Sequence, residues 1–315
     1  MAKILTNDFS WSKSREGTFS ECKRRYWFQY YGSWGGWEAQ ADPRTREIYI
    51  LKQLVSRHVW VGQVVHEAIE RTLRNHQASP KPLAVDVEEI VGITLNRMRS
   101  DFKDSRSGLY RARPKSRGLI EHEYRLPVTD EDWKKAADIA ERCLRNFYGS
   151  RLYAAILESP RGDWLEIEEY SSFDLDGVKV HVVLDFSYRQ GDEITIVDWK
   201  TGGSDEAVNR FQLACYTIYA GRRWGAPPGK VRAVEYNLNR NQAVEHRLTE
   251  DDLDRTLSVV RGSIADMKRM LRDEARNVAV EDDFPRVNDL RTCGRCNFAR
   301  VCRPDVPGLV IADPP

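Results

Sequence analysis

The chain has 315 residues, with 49 Lys and Arg against 48 Asp and Glu, a net charge of +1 and 31% charged residues. That length allows one large domain or two modest ones with a sizeable core, and the balanced charge excludes a globally basic nucleic-acid binder, so any such surface must be local. There is no run of eighteen apolar residues and no signal-peptide core at Met1-Ala2-Lys3-Ile4-Leu5, so a cytoplasmic chain with no membrane partner is expected, in which six cysteines point to a metal centre or buried thiols rather than disulfides.

Phe19 to Tyr31 reads as a helix mixing basic and aromatic residues, ended by Gly32-Ser33-Trp34-Gly35-Gly36. Val59 to His76 is a second helix and carries His66. Apolar residues recur at helical spacing from Val85 to Phe102. Ser105 to Arg117 is a loop rich in arginine and lysine, and a long helix is predicted from Asp130 to Leu157. Strands follow at Trp164 to Phe173, Val178 to Tyr188 and Ile194 to Trp199, rich in β-branched and aromatic residues. The polar, glycine-containing stretch Arg189 to Glu193 makes the last two a β-hairpin. Glu206 to Gly221 is helical, and Pro227-Pro228-Gly229 closes that unit. Val231 to Leu238 and Ala243 to Leu248 read as strands, and Asp252 to Arg276 as a helix. The tail, Phe284 to Pro315, holds three cysteines and ends in Asp-Pro-Pro, which is expected to fray.

The hairpin concentrates the chemistry. Side chains alternate across a strand, so Asp198 and Lys200 share one face and Trp199 takes the other. If the register sets Asp185 beside Asp198, two carboxylates and an ammonium converge. Paired carboxylates repel, and apolar neighbours such as Val183, Leu184 and Val197 make them costlier when unpaired. A divalent cation resolves both problems. Hard cations such as Mg²⁺ prefer oxygen ligands, and the Trp199 carbonyl could add one. Gln212 and Tyr216 follow at i and i+4 on one helix face.

This order, Asp185, a hairpin, Asp198-x-Lys200 and then a helix with Gln212-x-x-x-Tyr216, resembles the PD-(D/E)XK nuclease superfamily. It resembles most closely the RecB-type branch, which includes CRISPR adaptation nucleases. Members carry a histidine in a motif like Gly-x-x-x-His-x-x-x-Glu, matched here from Gly62 through His66 to Glu70. Some also carry one cysteine near the N-terminus and three near the C-terminus, matched by Cys22, Cys293, Cys296 and Cys302. One departure is Val182, where relatives often have glycine three residues before the first Asp. The resemblance implies that His66, Asp185, Asp198 and the Trp199 carbonyl hold metal. It implies that Lys200 positions or polarises the attacking water, that Gln212 orients the lysine or the water, and that Tyr216 contacts phosphate. The imidazole ligand tilts the metal from Mg²⁺ towards Mn²⁺.

Two other motif readings fail. The zinc-protease helix needs a second histidine where Glu70 stands. Lys200-Thr201-Gly202 matches a β-lactamase triplet, with Ser10 and Lys13 as a nucleophile pair, but no Ser-Asp-Asn accompanies it.

The spacing Cys293-x2-Cys296-x5-Cys302, with Cys22, brings thiolates together, and both zinc and an iron–sulfur cluster accept four of them. The resemblance favours a [4Fe–4S] cluster that clasps the N-terminal helix to the tail. Cys143 and Cys215 lie outside the pattern and read as core residues. The runs Lys23 to Tyr31, Arg106 to Arg117 and Arg291 to Arg303 are candidate strand contacts.

The expected fold is α/β, a restriction-endonuclease-like mixed sheet flanked by helices, with a helical insertion and a cysteine-held iron–sulfur lobe joining the termini. The expected segments are 1–58 with the first cluster cysteine, 59–76 for the motif helix, and 77–160 for the insertion. The core is expected at 161–283, and the C-terminal cluster segment and tail at 284–315. The expected activity is metal-dependent DNA cleavage, on single strands or ends as an exonuclease, in repair or recombination, CRISPR adaptation or phage defence. No helicase motif is present, so a motor or defence component would be a separate partner. The alternative is a non-catalytic DNA-binding or assembly subunit of a larger complex.

Overall fold

The computed structural model describes residues 5–81, 83–203, 206–304 and 306. The terminal Asp-Pro-Pro expected to fray lies outside them. The chain forms two compact units: Met1–Arg57, Ser100–Thr129 and Arg261–Pro315 make the first, and His58–Arg99 with Asp130–Val260 make the second.

The first unit opens with a short strand, β1 (Ser10–Ser12), and a helix, Lys13–Glu21. The single helix expected from Phe19 to Tyr31 is broken. Cys22 is extended, with φ −161°, and its sulfur accepts the Arg25 N–H, so it caps a new helix, Lys23–Trp27. A π-helical turn, Phe28–Gly32, follows. The basic–aromatic run builds part of the interior. Tyr26 and Phe28 are fully buried, stacking on Phe284 and Phe298. Arg24 is buried, donates to the Phe284 carbonyl at 2.7 Å and pairs with Glu281 at 2.8 Å. Phe28, Ile48, Leu51, Leu54, Tyr110 and Phe298 form one apolar cluster. Within the expected basic loop, Leu109–Ala112 is helical, and Arg111 is held by Glu47 and Glu123. The third candidate strand-contact run holds Phe298 in the core, and Arg300 pairs with Glu123, so all three runs are partly committed to structure.

The second unit is built on a mixed sheet. Its strands are β2 (Trp164–Leu175), β3 (Val178–Gln190), β4 (Glu193–Lys200), β5 (Val231–Asn237) and β6 (Gln242–His246). β2–β3, β3–β4 and β5–β6 are antiparallel, while β4–β5 is parallel. A parallel pair needs a long crossover, which the helix Glu206–Trp224 supplies. The β3–β4 turn is shorter than expected, because Gln190 pairs with Glu193 and leaves Gly191-Asp192 between them. Gly191 has φ +62°, which glycine adopts without a Cβ clash. Val180, Leu184, Phe186, Ile194, Ile196 and Val197 are fully buried, each contributing about 1.5–3 kcal/mol.

The long helix expected from Asp130 to Leu157 is two helices, Asp130–Tyr148 and Arg151–Glu158. Ser150 causes the break, because its hydroxyl accepts the Tyr153 N–H at 3.0 Å and caps the second helix. The helix expected from Asp252 to Arg276 runs Glu250–Lys268. No helix among the described residues is long and apolar enough to cross a membrane.

Candidate active site and cysteine cavity

β3 and β4 align Phe186 with Val197, and the same register carried one step on sets Asp185 opposite Asp198. The ladder ends there. Asp185 Oδ2 instead accepts the Trp199 N–H at 2.6 Å, which fixes this carboxylate across the strand pair. The Trp199 ring points the other way and packs against Phe147, 5.1 Å between centroids. Asp185 and Asp198 are 7% and 2% exposed, low enough for their charges to be costly without a cation.

His66 comes from the helix Arg57–Ala78. Its Nδ1 lies 2.8 Å from Glu168 and 3.5 Å from Asp185. Gly62, one turn earlier, explains the close approach: a Cβ there would sit 3.2 Å from the Thr201 hydroxyl, just past the end of β4. Burial opposes protonation of His66, but the Asp185 charge and the Asp185 and Glu168 hydrogen bonds outweigh it and hold its pKa well above the usual imidazole value.

Asp198 Oδ2 is 2.6 Å from Lys200 Nζ. Lys200 Nζ donates to Gln212 Oε1 at 3.1 Å, and Gln212 Nε2 donates to Asp198 at 3.3 Å and to the Tyr216 hydroxyl at 2.6 Å. Burial first, then the Asp185 charge, pushes the Asp198 carboxyl up to about 7. Burial works against the Lys200 ammonium, but Asp198, Asp185 and Glu235 outweigh it and raise its pKa. Lys200 is therefore a cation in the metal-free chain and not a free base. Tyr216 is 5% exposed, and its hydroxyl accepts the Gln212 amide.

Glu168 escapes the sequence reading. Among the described residues, the ligand atoms of His66, Glu168 and Asp185 lie within 4.8 Å of one another, a geometry suited to a metal ion. Glu168 sits in β2 between the Ile167–Phe186 and Glu169–Leu184 pairs, a register that brings it to Asp185, and has φ +49°, a left-handed conformation unfavourable for a non-glycine residue. Strained positions of this kind cluster at functional sites. Burial raises the Glu168 carboxyl, against its His66 hydrogen bond. The donor set of one imidazole and two carboxylates fits Mn²⁺ or Mg²⁺, while Asp198 stands outside this group, paired with Lys200.

In the first unit Cys22, Cys293, Cys296 and Cys302 line one cavity, with Arg25, Arg286 and Arg303 around it. Phe298 N–H reaches the Cys296 sulfur at 3.4 Å, and Arg25 N–H reaches that of Cys22 at 3.5 Å. Burial pushes the Cys296 thiol up to about 12, with Cys302 and Cys22 adding to it against Arg25. Cys302 is raised by burial and by its neighbours Cys22 and Cys293. Four converging thiols with N–H donors to two of them suit a thiolate-bound metal group. Among the described residues the four sulfurs form no group within 4.8 Å of one another. Cys143 and Cys215 are buried in the second unit.

A mixed sheet flanked by helices, with Asp185 within β3 and Asp198 and Lys200 near the end of β4, is consistent with a restriction-endonuclease-like fold. The chain matches the sequence model of the PD-(D/E)XK nuclease superfamily over residues 10–303, and it belongs to that superfamily. A comparison with curated proteins finds no match.

Proposed function

We propose that the chain is a RecB-type, metal-dependent deoxyribonuclease that acts on single-stranded DNA or DNA ends as an exonuclease and carries a [4Fe–4S] cluster. The observation that carries the reading is the meeting of half-buried His66 and Glu168 with buried Asp185, with Asp198 and Lys200 on the neighbouring strand. His66, Asp185, Asp198 and Glu168 would hold Mn²⁺ or Mg²⁺, with room for the Trp199 carbonyl. A cation there supplies a lowered water pKa and charge neutralisation on the phosphate. Lys200, kept as an ammonium, orients the attacking water and stabilises charge building on a phosphate oxygen. Gln212 fixes Lys200 and Asp198 together, and Tyr216 fixes Gln212.

The cysteine cavity supports a four-thiolate metal group. Both zinc and a [4Fe–4S] cluster accept four thiolates, and the RecB-type resemblance favours the cluster. The cluster would tie the helix cap at Cys22 to the tail, a structural role. A helicase or defence component as partner, and a pathway in repair, CRISPR adaptation or phage defence, rest on the RecB-type resemblance.

The test uses anaerobically purified chain and end-labelled linear single strands, circular single strands and duplexes, each with Mn²⁺ and with Mg²⁺. Linear single strands should be cut fastest. Equal rates on circles would remove the exonuclease reading. The same sample should be brown, with a broad band near roughly 400 nm; colourless, zinc-loaded protein would remove the cluster and leave the nuclease.

A further inference from the structure

Beyond Glu168, the β2–β3 hairpin carries an aromatic surface that no step above uses. Tyr170 is two residues past Glu168, so their Cα atoms lie within about 7 Å of each other. Tyr170 pairs with Val183, and Ser172 with His181. Directly opposed residues share a face. The Tyr170 and His181 rings stack with centroids 4.6 Å apart and 21° between planes. Tyr170 is nonetheless 74% exposed, while Val180, Val182 and Leu184 on the alternate positions of β3 are buried. A tyrosine serving the core would bury its ring, which is where its large apolar area counts. The ring stacks on His181 and stays largely exposed. Lys179, exposed farther along β3, adds a cation for a phosphate.

We propose, building on the nuclease reading above, that the Tyr170–His181 stack is a subsite for one unpaired nucleobase of single-stranded DNA next to the scissile bond. A base inside a duplex has both faces covered, whereas an unpaired base can lie on an aromatic ring, and any base will do so because each has a π-face. Tyr170 touches the base; His181 is a positioning residue that holds the ring flat.

The test uses the full chain without divalent cations and a short linear DNA strand in which 2-aminopurine replaces one base at a time. With wild type, fluorescence should be quenched strongly at one position. Tyr170→Ala should lose that quench and weaken binding about 5- to 100-fold, and Tyr170→Phe should keep both. With Mn²⁺, Tyr170→Ala should raise KM and leave kcat nearly unchanged. Uniform quenching along the strand, or equal affinity of Tyr170→Ala and Tyr170→Phe, overturns the subsite. If wild type still cuts DNA in that case, the subsite alone falls. If wild type neither binds nor cuts DNA, the nuclease reading falls as well.

Discussion

Loading the metal-free chain with Mn²⁺ should expel protons, and their number reports which side chains take the metal. Metal ligands must be deprotonated, so acid weakens binding. Two groups of the site hold protons near neutral pH when no cation is present. Asp198 is held up to about 7 by burial and by Asp185. His66, despite its burial, stays protonated well above the usual imidazole range because of Asp185 and Glu168. Binding at about pH 6.5 should release about two protons per cation, falling towards about one near pH 8 as Asp198 ionises unaided. Each displaced proton changes affinity tenfold per pH unit, about 1.36 kcal/mol. Below about pH 7 the dissociation constant should therefore tighten about 100-fold for each unit of pH. Calorimetry in two buffers of different ionisation enthalpy reads the count directly. His66→Gln should lower it by about one and weaken binding. Release below about half a proton near pH 6.5, or an unchanged count in His66→Gln, would refute ligation by these groups.

Glu168→Gln should weaken Mn²⁺ binding by roughly 10- to 100-fold, the scale typical of lost metal-site partners; unaltered calorimetric affinity would remove Glu168 from the site. Cys296→Ala should bleach the absorption near roughly 400 nm and lower bound iron, and a full spectrum in the variant would contradict the four-cysteine assignment. Gly36→Ala would set a Cβ 2.7 Å from the Thr45 carbonyl and against Tyr49, so it should cost about 1–3 kcal/mol in urea unfolding. A loss under about 0.5 kcal/mol would show that the Trp34 to Trp37 turn yields more easily than its packing implies.

Local signals made much of the site's geometry legible. The hairpin was visible in β-branched runs around Gly191, and period-two alternation already separated Asp198 and Lys200 from Trp199. The register that sets Asp185 opposite Asp198 then follows from a two-residue turn. Glu168 was hidden for a physical reason. Glu166, Glu168 and Glu169 stand close together, and a left-handed kink in β2 turns one of them to His66. Glu166 is bound instead by the Tyr219 hydroxyl. No composition or periodicity marks that kink. Helix ends failed where a polar side chain competes for backbone donors: Cys22 and Ser150 each cap a new helix inside what read as continuous helical sequence. Within the basic–aromatic run residue type did not reveal exposure, since Lys23 is exposed while Arg24 is buried. Tyr26 and Phe28 are fully buried, and the open aromatic ring beside the site belongs to Tyr170.

The most direct test of the metal-nuclease account is single-turnover cleavage of an end-labelled linear single strand by wild type, Asp198→Ala and Lys200→Ala, purified identically and supplied with Mn²⁺. The account predicts cleavage by wild type that a chelator abolishes, none detectable with Asp198→Ala, and a rate lower by about 10²- to 10³-fold with Lys200→Ala. Equal cleavage by all three proteins, or none by wild type, would contradict it.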